Sequence, residues 1–372
     1  MNRRMRLFLF IALVAAFAAG LVYHMHRDQP VSVVRGQILM NTLVEITVVG
    51  SPHEPLDAWI DSAFLEIARI ERFATDYDST SPVGRLNDAG TLDNAPGELL
   101  ILLARANRFT QVTDGAFDVT TGTATSIWRV AEEHGILPSR ALLVRATAGI
   151  GPEHMRLDAS TGRIMLSPGT RIDLGGIAKG YAVDRALAVL KRLGARGALV
   201  NAGGDMAAFG QPPKRNFWRI GIRHPRSGAA NYFGIVRLGA EAVATSGDYE
   251  RGYQIGGVRY NHIIDPASGR PATRLVSATI MAHDAETADV LATAAFVLGP
   301  DSGRAMLERI PNAAGLLVIE AGSDLIAYPT RGFLDHATVD TALVELATPL
   351  RYATLPAQRD TTDERSGGRG AP

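Results

Sequence analysis

The chain has 372 residues, 46% of them hydrophobic, with 38 Lys+Arg balanced by 38 Asp+Glu and no cysteine. That length suffices for one large domain or two moderate ones, and the charge balance speaks against a general polyanion binder, so no nucleic acid partner is expected. The missing cysteines exclude disulfides, thiolate metal sites, a cysteine nucleophile and a lipid anchor on cysteine.

Arg3, Arg4 and Arg6 precede an apolar run from Leu7 to Tyr23. A charged start followed by such a run is the pattern of an export signal. Ala16-Phe17-Ala18 supplies a cleavage box. Two readings compete over residues 1–30: a cleaved signal peptide, or an uncleaved anchor in the inner membrane. Both put the rest of the chain outside the cytoplasm, in the periplasm or on the outer face of the inner membrane. Chains without cysteine are as much at home there as elsewhere.

From Val31 to Val49 apolar and polar residues alternate, which predicts strands. Pro55 opens a helix whose apolar residues Leu56, Ile60, Ala63, Phe64, Ile67 and Ile70 follow helical spacing. Residues Thr75 to Pro96 read as turns, Glu98 to Thr110 as a helix, and Asp158 to Leu174 as short strands about a Thr161-Gly162 turn. A helix is expected after Gly175-Gly176, then strands within 197–264 and 276–282. Two helices, Ala285–Leu298 and Asp301–Ile310, lead into a hairpin over 315–328. The polar residues 351–372 predict a disordered tail, leaving one domain over 31–350. Hairpins interspersed with helices predict an α+β fold of mixed and antiparallel sheets with packed helices, not a doubly wound sheet.

The densest motif is I-D-L-G-G-I-A-K-G-Y-A-V-D, Ile172 to Asp184. It puts an acid and two adjacent glycines at a helix start, where backbone N–H groups can hold a phosphate. An ordinary strand-to-helix turn has the same composition, and the spacing is not that of a Walker A loop. In T-A-D-V-L-A-T, Asp289 and Thr293 are four apart and share one helix face. A carboxylate and a hydroxyl are hard oxygen ligands suited to Mg²⁺ or Ca²⁺. On spacing alone the commoner explanation is a helix cap with a core-facing threonine. In R-Y-N-H-I-I-D-P-A-S-G-R-P, His262 ends a strand and can serve as a general base or phosphate partner, or lie in a plain surface turn. D-G-A-F-D-V-T-T-G (Asp114 to Gly122) and A-T-S-G-D-Y-E (Ala244 to Glu250) are weaker signals.

Taken in order, these segments resemble the ApbE family, the FAD:protein FMN transferases, over about Gly36 to Pro329. The resemblance implies an ApbE-like, T-fold-related architecture. L-M-N-T-L-V-E-I-T-V places Met40 at the flavin, with Asn41 where the family has a small glycine. The resemblance of D-Y-D-S-T-S-P-V-G-R-L-N implies Tyr77 as an aromatic FAD contact, and that of G-A-F-D implies that Ala116, Phe117 and Asp118 line the FAD site. D-L-G-G-I-A-K-G-Y implies that Gly175 and Tyr181 contact FAD and that the carbonyl of Ala178 ligates a metal. N-H-I-I-D-P places His262 and Ile263 at the flavin and phosphate end. By the same resemblance A-D-V-L-A-T implies Asp289 and Thr293 as metal ligands, with Ala292 where some members carry a second carboxylate.

The implied reaction cleaves FAD with Mg²⁺ (or Ca²⁺ in the same site) and transfers FMN to a threonine hydroxyl, releasing AMP. His262 is the favoured base and Asp173 its competitor. The implied acceptors are extracytoplasmic domains of membrane redox proteins. Two rivals share the pocket: an FAD pyrophosphatase, with water as nucleophile, and a non-catalytic FAD-binding protein.

Overall fold

The computed structural model describes Arg3, Met5 and residues 8–17, 29–228 and 231–347. Ala18 of the expected cleavage box and the expected tail 351–372 lie outside the described residues. Residues 8–17 are helical and exposed, and no described helix is long and apolar enough to cross a membrane.

The frame is a nine-stranded sheet whose spatial order follows the chain. Its strands are β1 (Val31–Leu39), β2 (Thr42–Gly50), β3 (Gly197–Ala202), β4 (Asp205–Phe209), β5 (Ala242–Gly247), β6 (Ser277–Ala282), β7 (Ala314–Ala321), β8 (Asp324–Pro329) and β9 (Glu345–Leu346). Every neighbouring pair is antiparallel except β8 and β9. The sheet is therefore mixed, as the hairpin-rich pattern predicts.

Period-2 alternation gives the sheet two buried faces. Val44, Ile46, Val48, Ala198, Val200, Ala242, Ala244, Ala278 and Ile280 meet the helices. Val49, Ala208, Val243, Met281, Leu316 and Val318 meet a three-stranded sheet that includes Trp218–Arg223 and Tyr232–Leu238.

The helices are α1 (Leu56–Ala74), α2 (Pro82–Ala89), α3 (Gly97–Val112), α4 (Gly122–His134), α5 (Arg140–Thr147), α6 (Ala178–Leu193) and α7 (Ala285–Arg309). Helix α6 packs between α1 and α7. In α7, Val290, Leu291, Ala294, Ala295 and Phe296 are fully buried, and each large apolar side chain among them contributes about 2 kcal/mol. The helix breaks at Gly299, with φ 83°, just before Pro300. This reproduces the two helices expected on either side.

Three segments depart from the sequence reading. The turn-rich stretch 75–96 contains α2, begun by Ser81, whose Oγ accepts the Gly84 N–H at 2.8 Å, with Pro82 at the first helical position. Helices α4 and α5 were not anticipated; Ser139 caps the second through the Leu142 N–H. The strands expected over 158–174 are Met155–Asp158 and Arg163–Leu166, and residues 167–174 hold only an isolated parallel bridge from Arg171 to Thr121.

Candidate active site

A cleft of about 820 Å³ opens where the tips of several hairpins meet the start of α6. At its mouth lies the β1–β2 turn. Met40 and Asn41 both adopt left-handed backbone, φ 51° and 58°, as a two-residue hairpin turn of this hand requires. Asparagine tolerates that conformation better than most residues, so Asn41 does here what a glycine would do. Methionine does not favour it, and two bonds fix the turn. The Met40 N–H donates to Glu71 Oε1 at 2.8 Å, and Asn41 Nδ2 to the Tyr77 hydroxyl at 3.3 Å.

The floor is the Gly-Gly turn entering α6. Asp173 Oδ1 accepts the Gly175 N–H at 2.8 Å. A Cβ on Gly176 would stand 3.1 Å from Thr293 Oγ1 and 3.2 Å from Phe117 Cε2, so the threonine hydroxyl and the phenyl ring close in on the bare backbone. One turn on, Gly180 donates its N–H to Asp289 Oδ2 at 3.0 Å. The favour is returned: Asp184 on α6 accepts the N–H groups of Ala285 and Glu286, both at 2.9 Å, at the start of α7. Each helix thus satisfies orphan amides of the other.

Charge is concentrated beside this crossing. Asp205 and Asp289 are each 2% exposed. The Lys179 ammonium pairs with Asp205 and stands 3.5 Å from Asp289 Oδ1. Burial alone would depress the Lys179 pKa; the carboxylates of Asp205 and Asp289 outweigh it and raise it. Burial, then the neighbouring Asp289, pushes the Asp205 carboxyl well up. Glu250 stands exposed in the cleft wall, and enclosure of its carboxyl by the cleft, opposed by Lys179, lifts it to about 7. His262 is held down, to about 4, by partial withdrawal from solvent and then by Arg251 and Lys179. Its imidazole is neutral at pH 7.

Among the described residues no group of three His, Cys, Asp or Glu side chains is arranged to hold a metal. The set Ala178, Asp289 and Thr293 is of another kind: one carboxylate, one hydroxyl and one backbone carbonyl. It passes a simple test of fit. Two sealed acids, Asp205 and Asp289, share the single Lys179 ammonium, and a divalent cation would offset the cost of keeping Asp289 buried as a carboxylate. All the donors are oxygens, as Mg²⁺ or Ca²⁺ prefers.

Of the expected residues, Met40, Tyr77, Asp173, Gly175, Ala178 and His262 line the cleft. Asp289 and Thr293 stand behind its floor, against the first turn of α6. The other five do not line it. Ala116 and Phe117 are buried in the core; Phe117 lies edge-on to Phe109 and supports Gly176. Asp118 is buried and accepts the Thr120 N–H and hydroxyl. Tyr181 faces away from the cleft: its hydroxyl donates to Glu98 at 2.5 Å and the Arg105 guanidinium covers its ring. Ile263 is buried, its N–H held by Asn261 Oδ1, which leaves its neighbour His262 facing the cleft. Asp173, the competing base, shapes the Gly175 turn; burial and then Asp76 raise its pKa.

The sequence reading assigned no role to Lys179, Asp205, Glu250 or Arg251, although the motifs containing Lys179 and Glu250 were visible. It also missed an aromatic wall. The Trp128 indole N–H donates to the Gly269 carbonyl at 2.8 Å, with its ring 5.3 Å from Tyr260, which in turn stacks on Tyr253 at 5.9 Å. Trp128 and Tyr253 face the cleft. A flat aromatic wall, a helix N-terminus and a cation-ready acid suit a ligand with planar rings and a diphosphate.

The chain is similar to known proteins in sequence and fold. The ApbE family model matches residues 40–317. The FAD:protein FMN transferase of Klebsiella pneumoniae is 31% identical over 74% of this chain and 86% of its own length. That of Treponema pallidum is 30% identical over 76% of this chain and 83% of its own. Among solved structures, the ApbE protein of Thermotoga maritima superposes with a TM-score of 0.76 at 34% identity, covering 82% of this chain and 99% of its own. The apo flavinyl transferase ApbE of Pseudomonas stutzeri gives 0.72 at 29% identity, covering 83% and 97%.

Proposed function

This chain belongs to the ApbE family and is a flavin transferase acting on FAD; we propose that it moves FMN to a threonine hydroxyl of an acceptor protein and releases AMP, with magnesium held at Asp289. The observation that carries this reading is the crossing of α6 and α7. It brings a sealed carboxylate to the first turn of a helix whose N-terminus opens on the cleft.

The reaction follows from the residues present. The Gly175 turn and the start of α6 favour an anionic group, here the FAD diphosphate. Trp128 and Tyr253 offer a face to a planar ring. Asp289, Thr293 and the Ala178 carbonyl would hold Mg²⁺, which would supply positive charge to offset that building on a diphosphate. His262 is neutral and stands in the cleft, so it takes the proton of the threonine hydroxyl as that oxygen attacks the FMN phosphorus. The bond from phosphorus to the AMP oxygen breaks and its electron pair leaves with AMP. Holding the reactants in line supplies much of the rate. Asp173 keeps the turn in shape.

We place the enzyme outside the cytoplasm, because three arginines precede the apolar run 7–23. Acceptors would then be extracytoplasmic domains of membrane redox proteins. Incubation with FAD, Mg²⁺ and such a domain is expected to release AMP, and chelation or Asp289→Ala to stop it. Undiminished release in either case refutes the metal assignment.

A further inference from the structure

Beneath the cleft one ammonium serves two sealed carboxylates. Lys179 is rooted beside Ala178, and both Asp205 at the start of β4 and Asp289 on α7 lie within its reach. They are not equivalent partners. Lys179 forms its tight pair with Asp205 and stays 3.5 Å from the Oδ1 of Asp289. Asp289 Oδ2 is engaged by the Gly180 amide. Glu250, in the cleft wall, adds its field to the same ammonium.

We infer that Asp205 is a positioning residue that draws the Lys179 ammonium aside and so keeps the Asp289 carboxylate available to a divalent cation. This rests on the reading of Asp289 as a metal ligand. The argument is one of competition. An ammonium on a flexible four-carbon stem goes to the nearest carboxylate, and the attraction grows steeply at short range in a site shielded from water. With Asp205 neutralised, the remaining sealed partner is Asp289. An ion pair would form at the oxygens a metal needs, and a metal would have to displace it. Asp205 touches neither substrate nor metal in this scheme; it acts through Lys179.

Titration of the full chain with Mn²⁺ alone, following free ion by electron paramagnetic resonance, tests this without any turnover. Asp205→Asn is expected to weaken Mn²⁺ binding by about tenfold or more. Adding Lys179→Met to it is expected to restore binding to within about threefold of the parent, because the competing ammonium is gone. Lys179→Met alone is expected to bind Mn²⁺ at least as tightly as the parent. A purely structural role for Asp205 predicts a loss that persists in the double variant. A parent that binds no Mn²⁺, or an Asp289→Asn variant that binds it unchanged, overturns the metal reading and this inference together. A metal-binding parent whose Asp205→Asn variant keeps its affinity, or whose double variant is not rescued, overturns the inference alone. Thermal melts accompany each variant. Should Asp205→Asn not fold, Lys179→Met decides: weakened binding there makes Lys179 a helper of the metal, not its competitor, and overturns the inference.

Discussion

The backbone of Gly180 lies so close to the Ala285 carbonyl that a Cβ on Gly180 would fall far inside contact distance of that oxygen. This approach lets α6 and α7 cross with their N-termini side by side. Asp289 then reaches the Gly180 amide, and Asp184 the amides of Ala285 and Glu286. A glycine in the motif is thus a packing requirement, and the position of the sealed acid depends on it.

Gly180→Ala should therefore do more than add a methyl group. Overpacking costs about 1–3 kcal/mol, and separation of the helices pulls Asp289 from its place. The expected result is a lower melting temperature together with weaker Mn²⁺ binding. An unchanged melting temperature contradicts the close approach.

Asp289 and Ala178 should respond differently to substitution, since the proposed metal site takes a side chain from one and a carbonyl from the other. Asp289→Ala is expected to slow AMP release from FAD by about 100-fold or more. Ala178→Ser keeps the carbonyl and adds little volume, and should stay within about threefold of the parent. Chromatographic assay of AMP checks both.

The His262 imidazole is held down to about 4, first by its surroundings and then by Arg251 and Lys179. As the proposed base His262 acts in its neutral form, so kcat/KM should fall as pH drops through about 4 and stay level above it. Arg251→Met removes a cation that disfavours the charged ring, and the acid limb should move upward, toward the ordinary histidine range near 6.5. His262→Gln should reduce transfer by about 100-fold while FAD binding persists. The measurements are pH–rate profiles and FAD titration. A limb that ignores Arg251→Met contradicts the assignment.

Burial raises the Asp184 carboxyl to about 6, against the two amides that stabilise its charge. The folded state then binds more protons than the unfolded one between 3.8 and about 6. This group's contribution is complete below 3.8 and is lost as pH rises through about 6. Asp184→Asn does not titrate. Its melting temperature relative to the parent should rise between pH 4 and pH 7, as paired thermal scans would show. A difference that is flat or falls with pH contradicts the shift.

Much of this was legible in local pattern. The alternation in 31–49, the helical stripe of α1 and the break at Gly299-Pro300 all express short-range periodicity, and all appear as read. The spacing of Asp289 and Thr293 set them on one helix face. What the pattern could not carry was pairing between distant segments. Lys179 meets Asp205 from 26 positions away and Gly180 meets Asp289 from 109, and no window of sequence joins them. Tyr181 shows the reverse limit. Its place in a flavin motif suggested the cleft, but its ring is on the side of α6 turned toward Glu98 and Arg105. Helix α2 was hidden by its polar composition, although Ser81-Pro82 is a start signal.

The central claim is that FAD is cleaved by a protein hydroxyl, with FMN retained on the acceptor. Mass spectrometry of a threonine-bearing extracytoplasmic redox domain, after incubation with this enzyme, FAD and Mg²⁺, tests it most directly. The account predicts an FMN phosphoester on a threonine, formed in step with AMP and absent with Asp289→Ala. AMP and free FMN in equal amounts, with no adduct on any acceptor, would contradict it and make the enzyme a pyrophosphatase.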